Sequence, residues 1–181
     1  MEWEIQQVQQ VDAKEYWIRK EGQNIAHAAV RTRNFHTYID VNSLRNSPHK
    51  WRFSAKRLIR FWKLEYEIQL TDGRIAAFRR VSRRENVYEA QLGEEIYSIY
   101  SHKYLSASIF CGDEQVAFLS KKNVVTVLDN DRYKLLCNRE APIELMIAIA
   151  LIWDGIYAYL SGINLGQLIE YRAPNLDWEP H

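Results

Sequence analysis

The stretch APIELMIAIALIWDGIYAYLSG, residues 141–162, decides the fold, because it is the most apolar passage of a chain that otherwise reads as strands. Pro142 suits a first helical turn, Glu144 suits the positive end of a helix dipole, and Gly162 offers a stop. The residues between them are good helix formers or aromatics, so the pattern predicts a helix over residues 141–162. Three surroundings are open to it: lipid, water, or the protein's own interior.

A membrane span needs about 20 mostly apolar residues, whereas the uninterrupted run from Leu145 to Trp153 is shorter and is bracketed by Glu144 and Asp154. An Asp near the middle of a lone span costs roughly 2.5–3.5 kcal/mol on insertion scales, and no basic cluster follows to anchor it. No span is expected. A surface helix should show a polar face, yet apolar residues from Leu145 to Trp153 point in every direction around the axis. Such a helix must be buried on all sides. A cylinder roughly 10 Å across does not fit a small barrel filled by its own side chains, but a closed sheet of about eleven or twelve strands can hold it.

The rest of the chain supplies those strands. In KLEYEIQL, Leu64, Tyr66, Ile68 and Leu70 alternate with Lys63, Glu65, Glu67 and Gln69, giving one greasy and one charged face. Asp72-Gly73 follows as a two-residue hairpin signal, since both residues accept the positive φ such turns need. Similar punctuation recurs at Gly22, Gly93, Gly112 and Asn130, and β-rich segments including RYKLLC and NVVTVL lie between. The count comes to about a dozen short strands over residues 2–138, the spacing of an antiparallel meander closing as a barrel or sandwich. Residues 34–50 read as a long loop with a helical turn. The expectation is a mainly β chain: one domain over residues 1–181, a closed antiparallel barrel of about 12 strands enclosing the C-terminal helix, and a tail over 163–181.

At 181 residues, 47% hydrophobic and 26% charged, the chain has the length and composition of one ordinary globular domain. Its net charge of +1 excludes a polyanion binder by bulk composition. Two cysteines, Cys111 and Cys137, and an N-terminal MEWEIQQVQQ with no basic-then-apolar pattern set the expectation of a cytoplasmic, reduced protein.

The run from Tyr104 to Asp154, YLSASIFCGDEQVAFLSKKNVVTVLDNDRYKLLCNREAPIELMIAIALIWD, resembles the C-terminal half of the tubby C-terminal-like superfamily, especially its LURP-one-related and scramblase-like branch. Members of that branch end in strand, turn, strand with a basic pair, strand, and an apolar helix terminating in Asp. Lys121-Lys122 and Asp154 fall at those places, and KLEYEIQLTDGRIAAFRR is similar to an earlier copy of the strand-turn-strand unit. The resemblance implies a twelve-stranded barrel threaded by a hydrophobic helix. The N-terminal third matches only in being strand-rich, and the proline- and cysteine-rich leader of the scramblases is missing from the sequence, so lipid scrambling does not carry over.

From Lys50 to Arg84 the chain is markedly basic, and Trp51, Phe53, Phe61 and Trp62 are interleaved with the charges. Basic side chains beside aromatic anchors suit anionic phospholipid headgroups. The candidate site is Lys56, Arg57, Arg60, Lys63, Arg79, Arg80, Arg83 and Arg84. The tubby branch is similar in binding phosphoinositides through basic barrel residues, although its motif maps onto no particular position in this sequence. Plain solvated surface explains the same arginines and carries more weight, because the outward half of every barrel strand must be polar. Another protein is the alternative partner, through the 34–50 loop and the tail. Nucleic acid fits less well, for want of net charge or a reading module.

Enzyme chemistry has no foothold in the sequence. No G-x-S-x-G elbow or phosphate-cradling glycine loop is present, and His27, His36, His49, His102 and His181 sit in unrelated contexts. Glu144 and Asp154 would lie roughly 15 Å apart along a helix, too far for an acid/base pair. Asp129, Asn130 and Asp131 lack the glycine and distant glutamate of a calcium loop and read as a tight turn. A non-enzymatic binding or scaffold protein is expected, with no catalytic residue, metal or cofactor. A small-molecule carrier conflicts with a lumen already holding a helix.

Overall fold

The computed structural model describes residues 1–8, 14–33, 36–60, 63–82, 86–102, 106–121, 132–160, 175 and 178–181, leaving aside the side chains of 59–60 and 157–160. Its strands are β1 (Glu2–Val8), β2 (Lys14–Lys20), β3 (Gln23–Arg33), β4 (His36–Ser43), β5 (Arg52–Arg60), β6 (Lys63–Gln69), β7 (Ile75–Ser82), β8 (Val87–Leu92), β9 (Glu95–His102), β10 (Ser106–Cys111), β11 (Glu114–Lys121) and β12 (Arg132–Cys137). One helix follows, α1 (Ile143–Leu160). Each strand pairs antiparallel with its sequence neighbours, and β12 closes on β1 through Glu2 opposite Leu136 and Gln6 opposite Arg132. The expected closed 12-stranded barrel is what the chain forms.

Alternation explains the wall. On β6, Tyr66, Ile68 and the following Leu70 are buried while Lys63, Glu67 and Gln69 are exposed, as the sequence pattern predicts. Inward positions on β3, β5, β7, β8, β10 and β11 are alanines (Ala26, Ala28, Ala55, Ala76, Ala90, Ala107 and Ala117), each 2% exposed or less. Small side chains on the inner wall leave a lumen wide enough for a helix, which a barrel lined by large residues would not.

The helix occupies that lumen. Leu145 to Trp153 are all 3% exposed or less, so no face of this segment meets water. Among the described residues no helix is long and apolar enough to cross a membrane. The meander gives the barrel two ends: even strands turn into odd ones at the upper end, odd into even at the lower. Glu144 accepts a hydrogen bond from the Thr71 backbone N–H at an upper turn (2.8 Å), and Asp154 meets Lys14 at the start of β2 (3.2 Å), so α1 enters from above and runs downward. Ten residues of helix cover about 15 Å, which suits the span between these two anchors.

Three expectations need correction. Residues 36–43 are strand β4, not loop; Ile39 and Val41 face inward, and the low strand propensity of Asp40 and Asn42, with polar Thr37 on the inner face, obscures the pattern, so the loop shrinks to residues 44–51. The Asp72-Gly73 hairpin has a three-residue loop: Leu70 N–H bonds Arg74 O (2.9 Å), Gly73 N–H bonds Leu70 O (3.0 Å), and Gly73 takes φ +87°. This is a turn followed by a left-handed glycine, one of the common hairpin closures. The two-residue form occurs instead at Glu21-Gly22, where both residues have positive φ (51° and 77°) and Lys20 pairs with Gln23. Third, β10 breaks the in/out rule. Its outward Ser106, Ser108 and Phe110 are buried, as are the neighbouring His102 and Phe118, so this outer face is closed to solvent. The NVVTVL segment, Lys122, the Asp129–Asp131 turn and residues 163–174 of the tail lie outside the described residues.

Candidate functional site

The predicted basic residues gather at the lower ends of β5, β6 and β7, but the pleat sends them in two directions. Lys56 faces outward, with its Nζ 5.8 Å from the Tyr38 ring centre. Lys63 is exposed and stands directly across from Arg60 in the β5–β6 register. Arg79 also faces outward and donates to the Glu89 carboxylate (2.9 Å). Arg83 and Arg84 lie outside the described residues.

Arg57 and Arg80 turn inward, against the expectation that all these arginines belong to one outer face. Arg57 pairs with Tyr66, a buried lumen residue, and Arg80 pairs with Tyr88. The Arg80 Nη2 donates to the Tyr88 hydroxyl (3.0 Å), and its guanidinium stands 5.2 Å from the Tyr88 ring centre. Its Nε is buried with no hydrogen-bond partner among the described residues. Burial pushes both tyrosine hydroxyls up from the ordinary phenol value, and the adjacent arginines partly offset that rise. The sequence held this signal: Arg57 shares the parity of Phe53 and Ala55, and Arg80 that of Ala76 and Phe78.

Sequence reasoning missed two further inward bases at the same end. Lys14 reaches Asp154 on the helix, and Lys121 places its Nζ 5.2 Å from the Tyr133 ring centre. Asp154 itself is buried and accepts hydrogen bonds from the Tyr16 hydroxyl (2.5 Å) and the Tyr133 hydroxyl. It is thereby an internal anchor rather than a helix-end residue in water. The lower mouth therefore carries bases on β2, β5, β7 and β11 around the emerging helix.

A shallow cleft of about 290 Å³ opens on this rim, lined by Lys63, Leu64, Glu65, Arg79, Arg80 and Val81, and Val81 is 53% exposed between bases. A larger cleft of about 540 Å³ lies at the upper end. Its Glu2, Glu4 and Glu21 face Arg19, Lys20 and Arg139, so opposite signs neutralise one another and it favours no simple ion.

The histidines remain scattered: His27 meets Glu15, His36 meets the Arg57 carbonyl, His49 stacks on Trp51, His102 meets Ser108, and His181 meets Glu114. Among the described residues no group of three or more His, Cys, Asp or Glu has metal-binding spacing. Cys111 and Cys137 are free thiols, both pushed up by burial and so less reactive than ordinary cysteines.

No family model, curated protein or solved structure matches the chain.

Proposed function

We propose that this protein is a non-enzymatic, tubby-like binding or scaffold barrel of the cytoplasm, held at the membrane periphery by anionic phospholipid headgroups at its lower rim. The observation that carries the reading is the separation of charge along the barrel axis. At the lower end Arg31, Arg33, Lys63, Arg79 and Arg132 are exposed, against Glu15, Glu65 and Glu89 among the described residues. The upper end exposes Glu2, Glu21, Asp72, Glu94, Glu95, Asp113, Glu114 and Glu140 against Arg45, Lys50, Arg52, Arg74 and Arg139, and is acidic on balance among the described residues. A near-neutral molecule arranged this way meets an acidic leaflet with one end. Each base close to the surface contributes about 1 kcal/mol, and Val81 adds an apolar contact between them.

Flotation with vesicles of phosphatidylserine across a salt series tests this. Lys63→Glu with Arg79→Glu should weaken binding by roughly 30-fold or more, since at least two favourable charges are lost. Salt should weaken it too, as the screening length shrinks below about 10 Å. Absence of flotation at low salt sinks the lipid reading.

The alternative is a protein-interaction module without lipid or nucleic-acid ligand. Ile75 and Ile96, 58% and 44% exposed on the outer face near the upper end, favour it. Association with a partner that survives the Lys63 and Arg79 reversals but is lost in Ile75→Lys would select it.

A further inference from the structure

We infer that the outer wall of β9, β10 and β11 is a peptide-docking face, and that its occupant is the chain's own C-terminal segment, residues 161–180, laid from the lower mouth to the upper end. The inference is independent of the lipid reading.

The outward residues of β10, Ser106, Ser108 and Phe110, are buried, and so is Phe118, directly across from Ser108 on β11. Phe110 and Phe118 stand outside the contiguous apolar cluster that fills the barrel, so the lumen is not what buries them. Large outward side chains elsewhere on the wall, such as Ile75 on β7, are exposed. On the other side of Ser108, Tyr100 of β9 pairs with it and meets Phe110 edge-on, with ring centres 5.7 Å apart. A floor of serines flanked by aromatic rings forms a groove along β10, a shape that receives apolar side chains from an extended chain. The barrel is closed, so this wall offers no strand edge, and side-chain packing must hold the occupant.

The path of the chain selects that occupant. The helix α1 fills the lumen and ends with Leu160 at the lower mouth, yet the last residue is back at the upper end. There the Arg139 backbone N–H donates to the His181 carbonyl oxygen (3.1 Å), and the His181 N–H donates to the Asn138 Oδ1 (3.2 Å). The His181 ring meets Glu114 at the β10–β11 turn (3.2 Å). With the lumen taken, the return runs outside the wall. The climb is about 27 Å, the length of the helix, and twenty extended residues reach more than twice that distance. The clasp sits directly above the buried face, since Gln115, next to Glu114, pairs with Phe110. The segment brings the apolar side chains the groove requires, among them Ile163, Leu165, Leu168, Ile169 and Tyr171. Residues 122–131 leave and re-enter the barrel at the same lower mouth, between Lys121 and Arg132, so only the C-terminal segment has to pass from one end to the other.

Photo-crosslinking of the intact chain tests this. Leu168 and Tyr171 are replaced in separate variants by p-benzoylphenylalanine, and the irradiation products are mapped by mass spectrometry. Cross-links within one chain to Tyr100, Phe110 or Phe118 are expected from at least one of the two positions. Ser108→Arg puts an unpaired guanidinium into the groove and should cut that yield by about tenfold or more. Glu67→Arg, on the exposed outer face of β6, should leave it unchanged. Ser120→Arg, half-buried on the same face as Ser106, serves if Ser108→Arg does not fold. Cross-links confined to another part of the wall, the absence of cross-links from both positions, or a yield unaffected by the arginine in the groove overturns the inference. Cross-links between two chains overturn it as well, in favour of tails exchanged between copies.

Discussion

Replacing Asp154 with Ala tests whether the helix is pinned inside the barrel or merely fills it. Asp154 is 2% exposed, and its carboxylate accepts hydrogen bonds from Tyr16 and Tyr133 and an ion pair from Lys14. Lys14 keeps 38% of its side chain in water, so its share is that of a surface pair, about 1 kcal/mol or less. The two phenol bonds to a buried carboxylate are worth more, about 1.5–3 kcal/mol each. Allowing for partial rearrangement, Asp154→Ala should cost about 3–5 kcal/mol. For a chain of this length that lowers Tm by roughly 6–20 °C. Lys14→Ala should cost about 1 kcal/mol or less in the same assay. Denaturant unfolding of the single variants and of the Tyr133→Phe, Asp154→Ala pair gives the coupling directly, expected at about 1 kcal/mol or more. An Asp154→Leu protein as stable as wild type, with both tyrosines intact, would refute the reasoning, because the packed lumen alone would then hold the helix.

The other predictions concern the helix and the β6–β7 turn. Gly155→Ala should raise the unfolding midpoint, by up to about 1 kcal/mol in stability, because Gly155 is helical and exposed and an added methyl meets nothing within 4 Å. A lower midpoint would mean that this side of the helix is more crowded than its exposure indicates. Asp72 is held below its ordinary value of 3.8 chiefly by the Arg74 backbone N–H, then by the Arg74 side chain. Since its folded pKa is the depressed one, its contribution is present above the unfolded value and fades as pH falls through the folded value. The wild-type advantage over Asp72→Asn should be constant near neutrality and shrink below about pH 4, read as the difference in unfolding midpoint across pH.

Much of the architecture was legible in the residues because both of its determinants are local. A helix apolar on every face has only one soluble solution, and alternation such as Leu64-Tyr66-Ile68 fixes which side of a strand is interior. Strand β4 escaped because Asp40 and Asn42 have low strand propensity and because Thr37 faces inward and Tyr38 outward, and only pairing on both sides with β3 and β5 reveals it as wall. The hairpin at Gly73 was placed correctly but mistaken in length, since the same dipeptide serves a two- or three-residue loop and the ladder register chooses between them.

The sequence by itself determined that a closed sheet surrounds a greasy helix and that bases concentrate between Lys50 and Arg84. Only the tertiary structure decided which of those bases look outward and which look into the lumen, because one residue of parity reverses a side chain's direction while leaving composition unchanged. Closure of the ring did the rest, bringing Lys14, Lys121 and Asp154, distant along the chain, to the same mouth as Arg57 and Arg80.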